Sequence, residues 1–335
     1  MLGVVVTGTG LITPAGLGAT ALSKAIELGR RFAERGKEPW AFAKAPAELI
    51  TWPDRPEWAQ AREFAGFGSL LALTASQQAL GDASASGASL NLERGATVAV
   101  AADDWSEQDR FDTALQGAGS PNHEAQALFN GLDDHFLLRT FRWSISYGIG
   151  ALSGFSGASV GIDCPNYAGL SGLRHALDLI QSGEADAALL VGVDTIPRSD
   201  VAGAIFAAAR AKELVFGQGA AALLLEREST ALARGAKLLA RVVDCELVAC
   251  ESPARAVAWA AAQRERSPGL WADAEARART TGTLPNCGAL VDLCLVCAAL
   301  SKGEPASARG VCAIETLWAS GAGTAELTRA GKGAA

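Results

Sequence analysis

The tightest constraint on the fold lies between Gly157 and Asp194. An apolar run, Ala158 to Asp163, is followed by the polar turn Asp163-Cys164-Pro165-Asn166-Tyr167-Ala168-Gly169 and a segment of helical period from Leu170 to Ser182. The turn Gly183-Glu184-Ala185-Asp186 then leads into a second apolar run that ends Gly192-Val193-Asp194. Strand, helix and strand in this order form a βαβ unit, because parallel neighbours need a crossover that returns the chain to the same end of the sheet. Its strand-to-helix turn presents one side chain at a helix N-terminus. There the positive end of the helix dipole and free backbone N–H groups stabilise a thiolate or an oxyanion.

The same alternation runs through the chain. Apolar runs at Val4 to Val6, Ala96 to Ala101, Ala220 to Glu226, Leu238 to Val248 and Val311 to Leu317 read as further strands. Leu22 to Leu28, Gly66 to Leu80, Ala254 to Arg264 and Ala289 to Leu300 have helical period. Such interleaving implies an α/β protein whose sheet is covered by helices on both faces. With 335 residues, 49% of them apolar and 19% charged, the chain can bury a large core. The irregular stretches Glu34 to Glu63 and Asp103 to Asp134 read as surface excursions, and the tail from Thr328 as frayed.

Several function classes are excluded at this level. A net charge of −7 gives no general attraction to nucleic acid or anionic lipid, so neither is expected as a partner. The twenty-residue uncharged run Trp143 to Ile162 holds five serines and five glycines, too polar a mixture for a bilayer span. Met1-Leu2-Gly3-Val4 lacks a basic signal region, and seven cysteines, an odd number, are expected as reduced thiols in the cytoplasm. Cys294-Leu295-Val296-Cys297 has redox or zinc spacing, yet it sits in an apolar helical stretch with no second pair or histidine nearby. Buried thiols are expected there, and no metal. Val4 to Gly10 places G-x-G after a strand, but a dinucleotide fingerprint needs a glycine where Thr13 stands, so no nicotinamide cofactor is expected.

Four segments, in order, resemble the β-ketoacyl synthases of the thiolase superfamily. They are the opening VVVTGTGLITPAGLG (Val4 to Gly18), the turn and helix above with Ser182 to Gly192, the strand Gly217-Gln218-Gly219-Ala220-Ala221-Ala222-Leu223-Leu224-Leu225-Glu226, and Ala233-Arg234-Gly235-Ala236. The likeness is strong over residues 1–245 and weak beyond. It implies a thiolase-like layered fold, α-β-α-β-α, with a shortened second half. Residues 1–245 would form the N-terminal ketosynthase-like half, 246–327 a reduced C-terminal half and 328–335 a tail.

Within that resemblance the departures concern catalysis. Counting back from Gly183, the family's nucleophilic cysteine position falls on Asn166, and a carboxamide cannot take up an acyl group as a thioester. The family's two later histidines and lysine decarboxylate the malonyl unit and stabilise enolate and oxyanion. Here the three histidines, His123, His135 and His175, all precede that half, and Thr280 to Asn286 offers neither lysine nor histidine. The family's final glycine-rich turn is expected at Ser320-Gly321-Ala322-Gly323-Thr324.

What the resemblance implies is therefore a non-catalytic subunit like a chain-length factor. It would pair as a heterodimer with a catalytic ketosynthase subunit, receive chains from an acyl carrier protein and wall the acyl tunnel in polyketide or fatty-acid-type elongation. Asn166 is alternatively a helix cap or a residual polarising group, and Cys164 a displaced nucleophile. Phe111, Phe129, Phe141 and Trp143 are candidate tunnel or interface walls, and His175 a packing or interface residue. Arg139 and Arg142 form a candidate carrier-protein face, and the small-residue segment Trp143 to Ser159 a close-packed partner contact. Two alternatives stay open: a diverged acyltransferase or malonyl decarboxylase acting alone through Cys164 or Asn166, and a homodimeric binding protein for acyl or aromatic ligands.

Overall fold

The computed structural model describes residues 2–35, 41–50, 52, 62–85, 89–101, 108–117, 123–141, 143–162, 168–195, 215–266, 270–271, 273–303, 307–314 and 321–330. The strands are β1 (Val4–Thr13), β2 (Gly16–Leu17), β3 (Ala33–Arg35), β4 (Ala41–Ala43), β5 (Gly95–Ala101), β6 (Ser159–Ile162) and β7 (Ala187–Asp194). They continue as β8 (Val215–Gly217), β9 (Gly219–Arg227), β10 (Ala240–Ala249), β11 (Leu270–Trp271), β12 (Ser307–Ile314) and β13 (Gly321–Thr328). The helices are α1 (Gly18–Glu27), α2 (Phe67–Ser84), α3 (Gln108–Gln116), α4 (Glu124–Gly131), α5 (Phe136–Thr140), α6 (Trp143–Ser153) and α7 (Ala168–Gln181). They end with α8 (Glu228–Ala233), α9 (Pro253–Arg266), α10 (Ala274–Thr281) and α11 (Gly288–Ser301).

A curled sheet runs in the order β6-β5-β7-β9-β1-β10-β13-β12-β11. β1 joins its two parts. It pairs with β9 from Val4↔Arg227 to Ile12↔Ala220, but with β10 only over Val4–Val6, so the sheet divides there. Two helices fill the space between the parts: α7 packs on β5 and β7 and also on β10 and β13, and α11 on β9 and β1 and also on β12. Outside, α2 and α6 cover the first part and α9 the second. The order is helix, sheet, helix, sheet, helix, as the fold expectation required. β5 and β7 are buried along their whole length, which is why their sequences are continuous apolar runs and not alternating ones.

The glycines of the opening T-G-T-G segment serve packing. A Cβ at Gly10 would come within 2.7 Å of the Ala75 carbonyl carbon, and one at Gly8 within 2.9 Å of that of Ala79. The backbone of α2 thus rests directly on β1, and α2 supplies small residues, Ala72, Ala75, Ala79 and Ala83, to the contact. The Ala233 to Ala236 segment has a comparable explanation. Arg234 forks onto the buried Glu226 of β9 (Nε–Oε2 2.8 Å, Nη2–Oε1 2.6 Å), which also accepts from the Thr7 hydroxyl. The guanidinium further donates to the Ala83 carbonyl of α2 (3.1 Å).

Two expectations need correction. Asp103 to Asp134 and Glu34 to Glu63 are more than irregular excursions, since the first contains α3 and α4 and the second β4, which pairs with β3 and β8. Among the residues expected to form a glycine-rich turn, Gly321–Thr324 begin strand β13, paired between β10 and β12 from Ala249↔Gly321 and Ile314↔Gly321 onward. Glycine and alanine have low strand propensity and hid the run, but Ala325 and Leu327 face the central core and Ala322 is buried on the other side of the strand. Among the described residues no helix is long and apolar enough to cross a membrane.

Candidate functional site

The end of β7, the start of β9 and the first turns of the two central helices converge. Asp194, the last residue of β7, is buried and accepts from the Asn286 backbone N–H (3.0 Å), the Asn286 side-chain amide (2.8 Å) and the Cys287 N–H (2.7 Å). These N–H groups belong to the entrance of α11, so a carboxylate of this chain already occupies that helix N-terminus. Burial pushes the Asp194 carboxyl above its ordinary range, and the bonds from Cys287 and Asn286 oppose the rise. On the other side Gly169, in the first turn of α7, has no room for a side chain: a Cβ would lie 3.1 Å from Ala289 Cβ and 3.2 Å from the Asn286 oxygen. Gly192 is equally close to Cys287, at 3.0 Å from its Cα. The two helix N-termini are therefore locked against each other and against β7.

The thiols here are not nucleophiles. The Cys287 Sγ faces the Gly219 oxygen at 3.6 Å, and burial, then the neighbouring Asp194, push it well above the ordinary thiol range. Cys294 and Cys297 are both free, buried and raised by burial, Cys297 to about 12, which fits the buried-thiol reading of that pair. Cys245 is pushed up by burial to about 12. A thiol with that value is about 10⁻⁴ thiolate at pH 8. In the folded protein iodoacetamide is expected to modify the half-buried Cys250 and to leave Cys245, Cys287, Cys294 and Cys297 intact until denaturant is added, as peptide mass mapping would read. Rapid labelling of Cys287 under native conditions would contradict this.

A model of the family described as "Beta-ketoacyl synthase, N-terminal domain" matches residues 2–231. The chain belongs to the β-ketoacyl synthase family. No curated protein matches the sequence. Among solved structures, a β-ketoacyl synthase from Burkholderia phymatum STM815 is similar at TM-score 0.74 and 17% identity, covering 98% of this chain and 100% of that one. The ishigamide ketosynthase/chain length factor has the same TM-score, 0.74, at 19% identity, with 98% and 100% covered. A type II polyketide synthase acyl-carrier protein in complex with its ketosynthase bound to the hexaketide gives 0.73 at 15% identity, with 98% and 99% covered.

In this ketosynthase-fold chain the turn with Asn166 and Cys164 lies outside the described residues, between β6 and α7. His175 is half-buried on α7. Phe111 is half-buried on α3 and its ring stacks on the buried Phe136 (centroids 6.1 Å apart, 15° between planes). Phe129 belongs to α4, and its side chain lies outside the described residues. Phe141 and Trp143 are exposed, at 42% and 48%. Arg139 is clamped by Asp133, Nη2–Oδ2 2.8 Å and Nη1–Oδ1 3.0 Å, and Arg142 lies outside the described residues. Among the described residues no cluster of His, Cys, Asp and Glu is placed to hold a metal.

The open surface lies at β6. Among the described residues this strand is paired only with β5, in parallel from Thr97↔Ser159 to Val100↔Ile162, and none of its four residues is fully buried. α6 packs beside it and exposes Trp143 and, at 59%, Tyr147, a residue no sequence pattern singled out. An aromatic at i+4 from another on a helix is a legible signal once the inner face is known to be Ser144, Ile145, Gly148 and Ile149.

Proposed function

We propose that this ketosynthase-family chain is a non-catalytic subunit that pairs with a cysteine-bearing β-ketoacyl synthase and forms one wall of its acyl tunnel, as a chain-length factor does. One observation supports the reading: among the described residues the strand feeding the Asn166 turn pairs on one side only, with β5, and it is flanked by exposed Trp143 and Tyr147. An unpaired edge with uncharged side chains is a ready partner surface, and soluble proteins do not usually leave one bare. The chemistry supports it. Asn166 stands at the family's nucleophile position and no histidine follows His175. Asn286 is spent on Asp194, and Cys287 is a buried, protonated thiol.

In this reading the partner's cysteine carries the growing chain as a thioester and the partner's histidines decarboxylate the malonyl unit on its carrier protein. The chain described here fixes tunnel shape and length. Phe111, Phe129, Phe141, Trp143 and His175 are its proposed tunnel or interface residues, with Phe141 and Trp143 favoured for the interface by their exposure. Residues 1–245 act as the first ketosynthase-like half, 246–327 as a reduced second half and 328–335 as a tail. The assembly works in the cytoplasm with an acyl carrier protein. Two similar structures, a ketosynthase/chain length factor and an acyl-carrier protein in complex with its ketosynthase, support this class of partner.

Co-expression with a cysteine-bearing synthase tests the proposal. A one-to-one complex is expected by size, and Asn166→Ala in that complex should keep condensation within about tenfold, under roughly 1.4 kcal/mol of transition-state loss. Removing the partner's cysteine should abolish it. Acyl transfer by the isolated chain would favour an enzyme acting through Cys164 or Asn166, and a stable homodimer without turnover a binding protein. Collapse of activity in an assembled Asn166→Ala complex would end the passive role.

A further inference from the structure

Among the described residues Asp194, Glu226 and Asp292 are buried carboxylates, and two of them face an arginine. Glu226 holds the fork of Arg234, and Asp292 that of Arg277. Asp194, 4% exposed, has no such partner among the described residues. What opposes its burial is a set of hydrogen bonds from Cys287 and Asn286, with no cation taking part. A buried carboxylate without a counter-cation is costly, so the N–H groups around it must supply the compensation.

These N–H groups are arranged for an anion with two oxygens. The Asn286 side-chain amide donates to Oδ1 (2.8 Å) and the Cys287 N–H to Oδ2 (2.7 Å), while the Asn286 backbone N–H lies between them, 3.1 Å from Oδ1 and 3.0 Å from Oδ2. Cys287 is the N-cap of α11, so the fork stands at the positive end of a 14-residue helix. The surrounding backbone leaves no slack. Gly192, two residues before Asp194 on β7, lies so near that a Cβ there would be 3.0 Å from the Cys287 Cα, and a Cβ on Gly169 of α7 would be 3.2 Å from the Asn286 oxygen. Asp194 is thus a polar tie at the point where β7, α7 and α11 touch.

We propose that the Asn286 and Cys287 N–H groups form a carboxylate hole whose built-in occupant is Asp194, and that through it Asp194 is a positioning residue for the entrance of α11 and the first turn of α7. A hole of this kind selects by shape as well as by charge. A halide cannot meet both ends of the fork, and a carboxamide offers one acceptor oxygen and turns its NH₂ group against a donor. Vacated by Asp194→Gly, the hole takes formate, the smallest anion with the same two oxygens. The inference concerns this chain by itself and does not depend on the subunit role above.

The test compares the full wild-type chain with Asp194→Asn and Asp194→Gly, by thermal unfolding and by hydrogen exchange of the peptide around Asn286 and Cys287. Both variants are expected to melt several degrees below wild type and to exchange there about tenfold faster or more. Sodium formate should raise the melting temperature of Asp194→Gly in a saturable way and restore most of the protection, whereas formamide, and chloride at equal ionic strength, should not. Wild type should respond to none of the three. A general loss of packing would not single out formate. An Asp194→Asn protein as stable and as protected as wild type would overturn the hole, because a neutral acceptor would then suffice. An Asp194→Gly protein that responds to formate no more than to chloride would overturn it too. If Asp194→Gly does not fold without additive, refolding yield in formate against formamide reads the same contrast, and equal yields would overturn the proposal.

Discussion

Asp292→Ala is expected to destabilise the protein by about 3–5 kcal/mol, because it strands a buried guanidinium. Asp292 is buried on α11 and pairs with Arg277 of α10 (Nε–Oδ1 2.7 Å, Nη2–Oδ2 3.4 Å), with the two side chains 2% and 8% exposed. The guanidinium also covers Gly288, where a Cβ would lie 2.9 Å from Nη2, so the pair fixes how α10 sits on the entrance of α11. Burial raises the Asp292 carboxyl and Arg277 opposes the rise, so the two charges are held by each other and not by water. Replacing both, as Arg277→Met/Asp292→Leu, should recover most of the loss, since an apolar pair of similar volume leaves no buried charge. Urea unfolding of the single and double variants reads the difference, and equal midpoints for Asp292→Ala and wild type would refute the account.

Gly10→Ala carries the second large penalty, at least about 3 kcal/mol, through overpacking. The added methyl group would enter the Ala75 carbonyl and approach the Ala79 nitrogen to 3.0 Å, and a helix backbone has no rotamer with which to yield. Gly81 is the matched control. It lies on α2 and a Cβ there meets nothing within 4 Å, so Gly81→Ala should stabilise slightly through the better helix propensity of alanine. Thermal unfolding of the pair separates them, and a Gly10→Ala protein as stable as wild type would show that α2 does not seat on β1 as described.

Much of the fold was legible because its cues are local. The runs at Ala96 to Ala101 and Ala187 to Val193 read as strands and are strands, buried along their whole length, and Gly66 to Leu80 and Ala289 to Leu300 read as helices that the structure extends by a few residues. β1 was legible only in its first three residues, since Thr7, Gly8, Thr9 and Gly10 break the apolar pattern. Those glycines make sense only once α2 is laid across them. β13 escaped for the related reason that its glycines and alanines carry little strand signal until β10 and β12 are placed on either side.

The candidate site divides in the same way. Sequence alone established which side chains are present: residue 166 is an asparagine and no histidine follows His175, and identity needs no coordinates. It also established the βαβ frame, because periodicity and turn residues act over a few neighbours. Tertiary structure alone decided that Asp194 is held by Asn286 and Cys287, ninety-two and ninety-three residues away, that Asp292 meets Arg277, and that β6 pairs with β5 alone among the described residues. Such pairings depend on how the layers stack, and no local pattern encodes which distant polar group will be buried against which.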